Sequence, residues 1–129
     1  MNHSRIFYRI GHKDNSQGLW YDCNGNFTGL IHNVFNFCIN KNLQMPFDKE
    51  LIGWISATDS LDDLFNWFPI QDIIELEKHG YNICVYKAKK VKEYKNHLVI
   101  CKETSIKTGI IYSNQLNYEP KTNQTTAKR

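Results

Sequence analysis

The sequence predicts an α+β fold, a single domain in which two consecutive helices pack on a mostly antiparallel sheet. Apolar and polar side chains alternate over residues 4–10 and 81–88, which is typical of strands because their side chains point to opposite faces in turn. Apolar residues at helical spacing between residues 61 and 68 indicate a helix. Since strands come first, then helices, then strands again, we expect a sheet covered by a helical layer.

The N-terminal part is expected to form a strand followed by a hairpin. Residues 4–10 predict a half-buried strand, with Tyr8 on one face and Arg9 on the other. Residues 18–21 predict a second short strand, and the pair Asn24 and Gly25 after it is a strong hairpin-turn signal. The return strand is then expected at residues 27–30.

The middle of the chain carries the clearest helices. Residues 51–57 predict a strand, and Thr58 or Asp59 is expected to cap the helix that follows. Carboxylates in the first turn of that helix suit its positive end. A second helix is expected to begin at Pro69 and to stop at Gly80, since proline favours the first helical position and glycine the end.

The C-terminal part is expected to return to strands. Residues 81–88 predict one strand, residues 87–95 a charged turn, residues 96–102 a second strand and residues 109–113 a last one.

From residue 114 the chain has almost nothing to bury. We therefore expect one α+β ligand-binding domain over residues 1–113 and a flexible polar tail over residues 114–129.

Composition narrows the class of protein. The formal net charge of +3 is too small for a protein that coats nucleic acid, but it fits an anionic small ligand. The aromatic share of 13% is high enough to suggest platforms for flat ligands besides a core. The chain has no apolar N-terminal run, so neither a signal peptide nor a transmembrane span is expected.

The cysteines indicate a cytoplasmic protein with reduced thiols, because no C-x-x-C spacing or paired histidine points to zinc. They are Cys23, Cys38, Cys84 and Cys101. Cys84 and Cys101 are interpreted as small apolar side chains on strands, with a disulfide between them as an open alternative. We expect no cofactor, and no catalytic or phosphate-cradling motif is found.

Trp20 is the first candidate for a ligand contact. Trp20 and Tyr21 fall on opposite faces of a short predicted strand, so one of them points away from the core if only one face is covered. A ring folded onto the sheet edge and a stacking platform for a base are equally good interpretations. Arg5, Arg9 and Lys13 are candidate phosphate contacts, and Arg5 and Arg9 share one face of the predicted strand, although isolated surface cations are common.

Tyr86 and Asn96 lie on adjacent predicted strands, joined by the charged turn. If the strands pair, the Tyr86 ring and the Asn96 amide come close together, and such an amide can form two hydrogen bonds with the edge of a purine base. The alternative is an ordinary surface pair. His97 is more simply a strand-edge polar residue than a ligand contact. The aspartates near the first helix are explained by its capping rather than by metal binding.

Several segments together resemble the first family of phage Thoeris anti-defence proteins, over residues 5–108. The segments are residues 8–10 (YRI), 18–21 (GLWY), 25–32 (GNFTGLIH), 54–58 (WISAT) and 64–68 (LFNWF), with the closing strands. None of these strings is a diagnostic catalytic motif.

The resemblance implies a protein that is not an enzyme. It would bind a cyclic ADP-ribose isomer, glycocyclic ADP-ribose, made by TIR-domain enzymes, and would hold it without cleaving it in the cytoplasm of the infected cell, blocking Thoeris immunity. It also implies a homodimer, with assembly to a hexamer left open, and in some members a separate basic site for cyclic oligonucleotides. A membrane or a DNA or RNA duplex is not an expected partner.

Carried onto this chain, the resemblance implies a pocket of aromatic rings, an asparagine and basic side chains. The residues it points to are Trp20, Tyr86 and Asn96, with Arg9, Lys13, Tyr21, His97 and Lys107 as further contacts. An arginine would bind a phosphate with two parallel hydrogen bonds, which Lys107 cannot form, so the phosphate contact expected at this position is weaker. A loop over residues 11–18 would close on the ligand.

Two other classes of function stay open. An enzyme acting on ADP-ribose would need a carboxylate in the pocket, for which Asp14, Asp22 and Glu103 are the candidates. An inhibitor that blocks a host defence nuclease would need an exposed apolar patch or an acidic surface that mimics nucleic acid, and the net charge of +3 argues against the latter.

Overall fold

The computed structural model describes residues 4–14, 17–21, 28–41, 49–94 and 97–116. The strands are β1 Arg5–His12, β2 Trp54–Ala57, β3 Tyr81–Ala88, β4 Val91–Tyr94, β5 His97–Cys101 and β6 Ile106–Ile111. The α-helices are α1 Leu30–Asn33, α2 Leu61–Trp67 and α3 Ile70–Glu77, with 3-10 turns at Lys49–Leu51 and Ser113–Gln115. The α+β class with two consecutive helices is confirmed.

The strands form two antiparallel three-stranded sheets in the described part of the chain. Sheet 1 has the order β1-β3-β6, and sheet 2 has the order β2-β5-β4. The sheets meet at Tyr8 and Thr58, whose backbone N–H groups each donate to the other residue's carbonyl oxygen at 2.8 Å. This bridge joins β1 to β2, so the inner faces of the two sheets can share one core.

Strands β1 and β3 of sheet 1 bury side chains on both faces, whereas the sequence predicted that β1 would be half-buried; β6 is mostly exposed. On one face, Ile10 and Ile83 belong to a core that includes the helices, which we call the helix-side core. On the other face, Phe7 and Tyr86 pack with Ile55 of sheet 2 in what we call the inter-sheet core. The chain therefore has a helical layer, a central sheet and a second sheet.

Ser60 caps α2, so the prediction that Thr58 or Asp59 does so is wrong. The Ser60 hydroxyl oxygen accepts from the backbone N–H of Asp63 at 3.1 Å, as an N-cap side chain should. Thr58 is occupied elsewhere, because its backbone bridges to Tyr8 and its hydroxyl donates to the Ser60 carbonyl oxygen at 2.8 Å.

Helix α3 follows closely the expected pattern. Pro69 stands at its N-cap, one position before the predicted one, and the helix ends at Glu77. Gly80 has a φ of 86°, a left-handed conformation that glycine adopts without strain, and β3 begins directly after it.

The hairpin predicted after β1 is wrong where the structure describes it. Residues 18–21 form no strand: Leu19 and Trp20 lie in a bend and Tyr21 makes only an isolated bridge. The bend is held by the carbonyl oxygens of Leu19 and Trp20, which accept from Ile31 at 3.1 Å and Thr28 at 2.9 Å. The predicted return strand at residues 27–30 is not formed where it is described: residues 28 and 29 are irregular, and α1 begins at Leu30. Residues 22–27 lie outside the described residues.

The charged turn predicted at residues 87–95 is also wrong. Val91–Tyr94 is strand β4, paired with β5, and the turn before it is short. Val91 packs against the inter-sheet core, which explains why a lysine-rich segment can be extended. The predicted tail begins with the 3-10 turn Ser113–Gln115, and residues 117–129 lie outside the described residues.

The described cysteines are free thiols, so the open disulfide between Cys84 and Cys101 is not formed. Cys84 is completely buried, as expected for a core side chain, whereas Cys101 is partly exposed. Among the described residues, no helix is long and apolar enough to cross a membrane.

Candidate functional site

The predicted ligand residues fall into three separate places rather than one pocket. Trp20 and Tyr21 lie with the helix-side core, and His97 lies at the start of β5 beside α2. The remaining described residues lie along sheet 1 and the loop after β1; they are Arg9, Lys13, Tyr86 and Lys107. Asn96 lies outside the described residues.

Trp20 is almost completely buried, with 8% of its surface exposed. Its ring lies 6.0 Å from the ring of Phe68, at a tilt of 55°. The geometry fits the interpretation of a ring folded onto the sheet. One feature is unusual for a core side chain: the indole Nε1 is buried and has no hydrogen-bond partner among the described residues.

Trp20 and Tyr86 do not face each other within one chain. Trp20 belongs to the helix-side core and Tyr86 to the inter-sheet core, and sheet 1 separates the two. Tyr86 is 4% exposed and pairs with Phe7 across the β1–β3 ladder. A pocket with these two rings as opposite walls, as the sequence suggested, is therefore not formed by a single subunit.

Arg9 is buried rather than displayed on the surface, with 7% of its area exposed. Its Nη1 donates to the carbonyl oxygen of Ser56 at 2.9 Å, and its Nη2 lies where a Cβ at Gly18 would come within 2.9 Å. The guanidinium thus sits between β2 and the segment after the first loop. The Arg9 guanidinium can therefore hold the backbone around Gly18 in place, and it puts a positive charge next to that backbone.

Lys107 of β6 contacts the backbone of Lys13, which lies in the loop after β1. The ammonium of Lys107 donates to the backbone carbonyl oxygen of Lys13, although the two residues are 94 positions apart in the chain. Both side chains are exposed. Lys13 is held in turn by its backbone N–H, which donates to the Gly80 carbonyl oxygen at 2.9 Å.

The thiol of Cys84 responds to these positive charges. Burial raises the pKa of Cys84, whereas the positive charges of Lys107 and Arg9 act to lower it. The Sγ atom lies 3.6 Å from the Gly11 carbonyl oxygen, to which it donates. We call the region of Arg9, Lys13 and Lys107 around Cys84 the cationic end of sheet 1.

His97 lies beside a cavity that is separate from this region. Its ring packs edge-on against Trp67 of α2, with the ring centroids 5.4 Å apart. Burial lowers the pKa of His97, so the neutral ring is favoured. The adjoining cavity measures about 250 Å³ and is lined in part by Asp63, Asn66 and Leu98. That volume is below the range of about 300–1,000 Å³ that is usual for small-molecule pockets.

Of the carboxylates considered for an enzyme, Asp14 and Glu103 are among the described residues, and each lies in an exposed turn. Asp14 is exposed next to His12, with 4.0 Å between its Oδ2 and the His12 Nδ1. Glu103 is exposed in the turn after β5, and Asp22 lies outside the described residues. In the ranges that the structure describes, no group of three or more histidine, cysteine or acidic side chains is placed to hold a metal ion.

Ser56 and Gly18 are the site residues that sequence reasoning missed. The backbone carbonyl oxygen of Ser56 accepts a hydrogen bond from Arg9, and Gly18 leaves room for the guanidinium because it has no side chain. Ser56 carries no sequence signal for such a contact. The pair of glycines that bounds residues 11–18 is the only local hint.

Comparison with known proteins identifies no relative: no protein family, curated protein or solved structure matches this chain.

Proposed function

We propose that this protein binds a cyclic ADP-ribose isomer made by TIR-domain enzymes, holds it without cleaving it, and so blocks Thoeris immunity. The proposal rests on the resemblance over residues 5–108, together with the cationic end of sheet 1. A sequestering protein needs a preorganised site with a few charged hydrogen bonds, and it needs no nucleophile, base or metal.

The observation that carries the proposal is the contact of Lys107 with the backbone of Lys13, together with the buried Arg9, which like Lys107 is close enough to act on the Cys84 thiol. A cyclic ADP-ribose isomer contains a pyrophosphate, whose negative charges suit two exposed ammonium groups with a guanidinium behind them. The Lys107 ammonium is held at the backbone of Lys13, and that backbone is bound to Gly80, so the position of this charge is set before a ligand arrives.

Trp20 supplies a second line of support. Its buried Nε1–H has no partner in the described part of the chain, and leaving such a donor unpaired costs about 1–3 kcal/mol. A ligand oxygen that accepts from this group would remove the cost. Trp20 is two residues beyond Gly18, where an added Cβ would come within 2.9 Å of Arg9 Nη2.

The test is retention followed by release. The protein is incubated with glycocyclic ADP-ribose, freed of unbound ligand and heat-denatured, and the released molecules are identified by mass spectrometry. Intact ligand in the supernatant supports sequestration. An altered product would identify an enzyme acting on ADP-ribose, and the absence of any retained nucleotide would leave the protein-blocking inhibitor.

Variants locate the site. The double variant Lys13→Ala/Lys107→Ala should weaken retention at least tenfold, because it removes both exposed charges. The matched control Lys41→Ala/Lys78→Ala removes the same charge from exposed or half-exposed lysines elsewhere and should retain the ligand. Trp20→Phe keeps the ring and removes the N–H, so it tests the donor with less damage to the core than Trp20→Ala. Equal retention by the lysine variant and its control would overturn the site.

A further inference from the structure

The positive charge of this chain is concentrated in one segment. Residues 87–103 contain six lysines and two glutamates, a charge of +4, while the whole chain carries +3. The rest of the chain is therefore slightly acidic. A local concentration of this kind creates a potential that the modest overall charge conceals.

Backbone hydrogen bonds bring two of these lysines, Lys90 and Lys102, to one end of sheet 2. The N–H of Cys101 donates to the Lys90 carbonyl oxygen at 3.1 Å, which brings the turn between β3 and β4 to the end of β5. The N–H of Lys102 donates to the Gly53 carbonyl oxygen at 2.8 Å, directly before Trp54. Lys90 and Lys102 are exposed, and they border the same end of the sheet.

The outer face of sheet 2 carries Trp54 at the end that Lys90 and Lys102 border, and Tyr94 near the opposite end. The inner face is defined by Ile55 and Ile100, which are in the inter-sheet core. In the strand register, Trp54 is opposite Cys101, and Tyr94 is opposite His97, on the other face from Ile55 and Ile100.

On this outer face the ammonium of Lys92 lies over the aromatic ring of Trp54. Its Nζ lies 4.4 Å from the centre of the Trp54 ring, and both residues are only partly buried. A lysine in this position can interact with the ring in the free protein and with a phosphate in a complex. We call Trp54, Lys90, Lys92, Tyr94 and Lys102 the lysine–tryptophan face.

We propose that the lysine–tryptophan face binds single-stranded nucleic acid. Exposed rings on a sheet stack on unpaired bases of any sequence, and lysines along the rim bind the phosphates that connect them. A duplex offers no unstacked base to Trp54 or Tyr94, so the face favours single strands. None of the ion pairs formed by the described residues involves Lys90, Lys92 or Lys102, which leaves their charges available for phosphates.

The thiol of Cys101 lies close enough to Lys90 for the positive charge of that lysine to act on its pKa. The hydrogen bond from the Thr104 side chain is the main cause that lowers the pKa of this thiol, and the charge of Lys90 adds to it. Because Cys101 is opposite Trp54 in the ladder, its alkylation rate also gives a local measure of whether the face is covered.

The test is fluorescence anisotropy with labelled ten-nucleotide uridine RNA and thymidine DNA strands, and with a duplex of the same length. At roughly 50 mM salt we expect the single strands to bind more tightly than the duplex, with affinity falling as salt rises. Bound strand should also slow the alkylation of Cys101, followed by mass spectrometry, while the buried Cys38 and Cys84 stay unreactive.

Two variants separate charge from stacking. Lys90→Glu/Lys102→Glu should weaken binding at least tenfold and reduce the slope of log affinity against log salt by about 1.4, since each phosphate contact to a single strand contributes about 0.7. Trp54→Leu should weaken binding about tenfold and leave that slope unchanged, because stacking releases no counterion. If Trp54→Leu fails to fold, Trp54→Phe tests stacking with a smaller ring and should weaken binding with the salt slope unchanged.

The control Lys41→Glu/Lys78→Glu makes the same charge change on other surfaces and should bind like the native protein. Failure of both single strands to bind at low salt would overturn the proposal, as would equal losses in the control. Equal affinity for the duplex, with no effect of Trp54→Leu, would mean an unspecific attraction of polyanions and would also overturn it. Retention of glycocyclic ADP-ribose depends on the cationic end of sheet 1, so the two proposals fail independently.

Discussion

The guanidinium of Arg9 donates from Nη1 to the carbonyl oxygen of Ser56 at 2.9 Å, and so ties the central sheet to the second sheet. Arg9 is on β1 and Ser56 on β2, strands that otherwise meet through the bridge of Tyr8 and Thr58. The same guanidinium lies against Gly18. A buried cation thus fixes the distance between two sheets and a loop, and changes around it should affect both folding and the cationic end of sheet 1.

Gly18→Ala should destabilise the protein by about 1–3 kcal/mol, as expected for a side chain added where there is no room. A Cβ there would lie 2.9 Å from Arg9 Nη2 and 3.1 Å from the carbonyl oxygen of Tyr21. Arg9 cannot easily move away, because it is buried and bound to Ser56. Urea unfolding at neutral pH measures the loss.

Gly109→Ala is the matched control for this prediction, because a Cβ at that position meets nothing within 4 Å. Neither glycine is among those with a positive φ, so strain of the backbone enters neither change. Similar losses for both variants would show that contact with Arg9 is not what restricts position 18.

Ser60→Ala should cost about 1 kcal/mol, the usual effect of losing an N-cap side chain. The Ser60 oxygen accepts from the Asp63 N–H at 3.1 Å, and alanine leaves that donor to water. Thermal unfolding of the variant is compared with Ser105→Ala, whose hydroxyl bonds only an exposed turn carbonyl. A change in Tm no larger than that of Ser105→Ala contradicts the assignment of the cap.

Trp20→Phe and Trp20→Ala should differ strongly in stability. Phenylalanine keeps most of the contact with Phe68 and removes an unpaired buried donor, so we expect a loss of less than about 1.5 kcal/mol. Alanine leaves a cavity and should cost about 3–5 kcal/mol. Chemical unfolding of both variants measures the difference, and a Phe variant as unstable as the Ala variant would mean that the N–H has a partner in the free protein.

Stability should fall at alkaline pH because of Cys38. Burial, followed by the charge of Asp72, raises the pKa of this thiol from 9.0 to about 12. The unfolded chain loses the thiol proton first, so the contribution is complete below pH 9 and declines as pH rises towards 12. Cys38→Ala should lower stability at neutral pH but flatten the decline, as measured by urea midpoints across this range. An unchanged decline would mean that other groups cause it.

The strands and helices were predicted best where a periodic pattern coincides with burial. Strand β3 has the predicted bounds, and α3 ends before the glycine that was expected to stop it. Strand β4 was missed, because lysines obscure the alternation that pairing with β5 imposes. The segment of Trp20 was mistaken for a strand, since the contacts that bend it come from Thr28 and Ile31.

The candidate site was predictable only as a set of residue types. Arg9, Lys13 and Lys107 were named from charge and resemblance, but their proximity depends on a contact spanning 94 positions. The burial of Arg9 and the separation of Trp20 from Tyr86 depend on which face of sheet 1 each occupies, and on what covers that face.

By itself, the sequence determined the α+β class, the two consecutive helices and most strands, because hydrophobic periodicity and caps are local properties. Only the tertiary structure decided that β1 and β3 are covered on both sides and that a second sheet leaves Trp54 partly exposed beside Lys92. The reason is physical: a strand's pattern specifies that its faces differ, but the layer that covers each face is specified by residues far away in the chain.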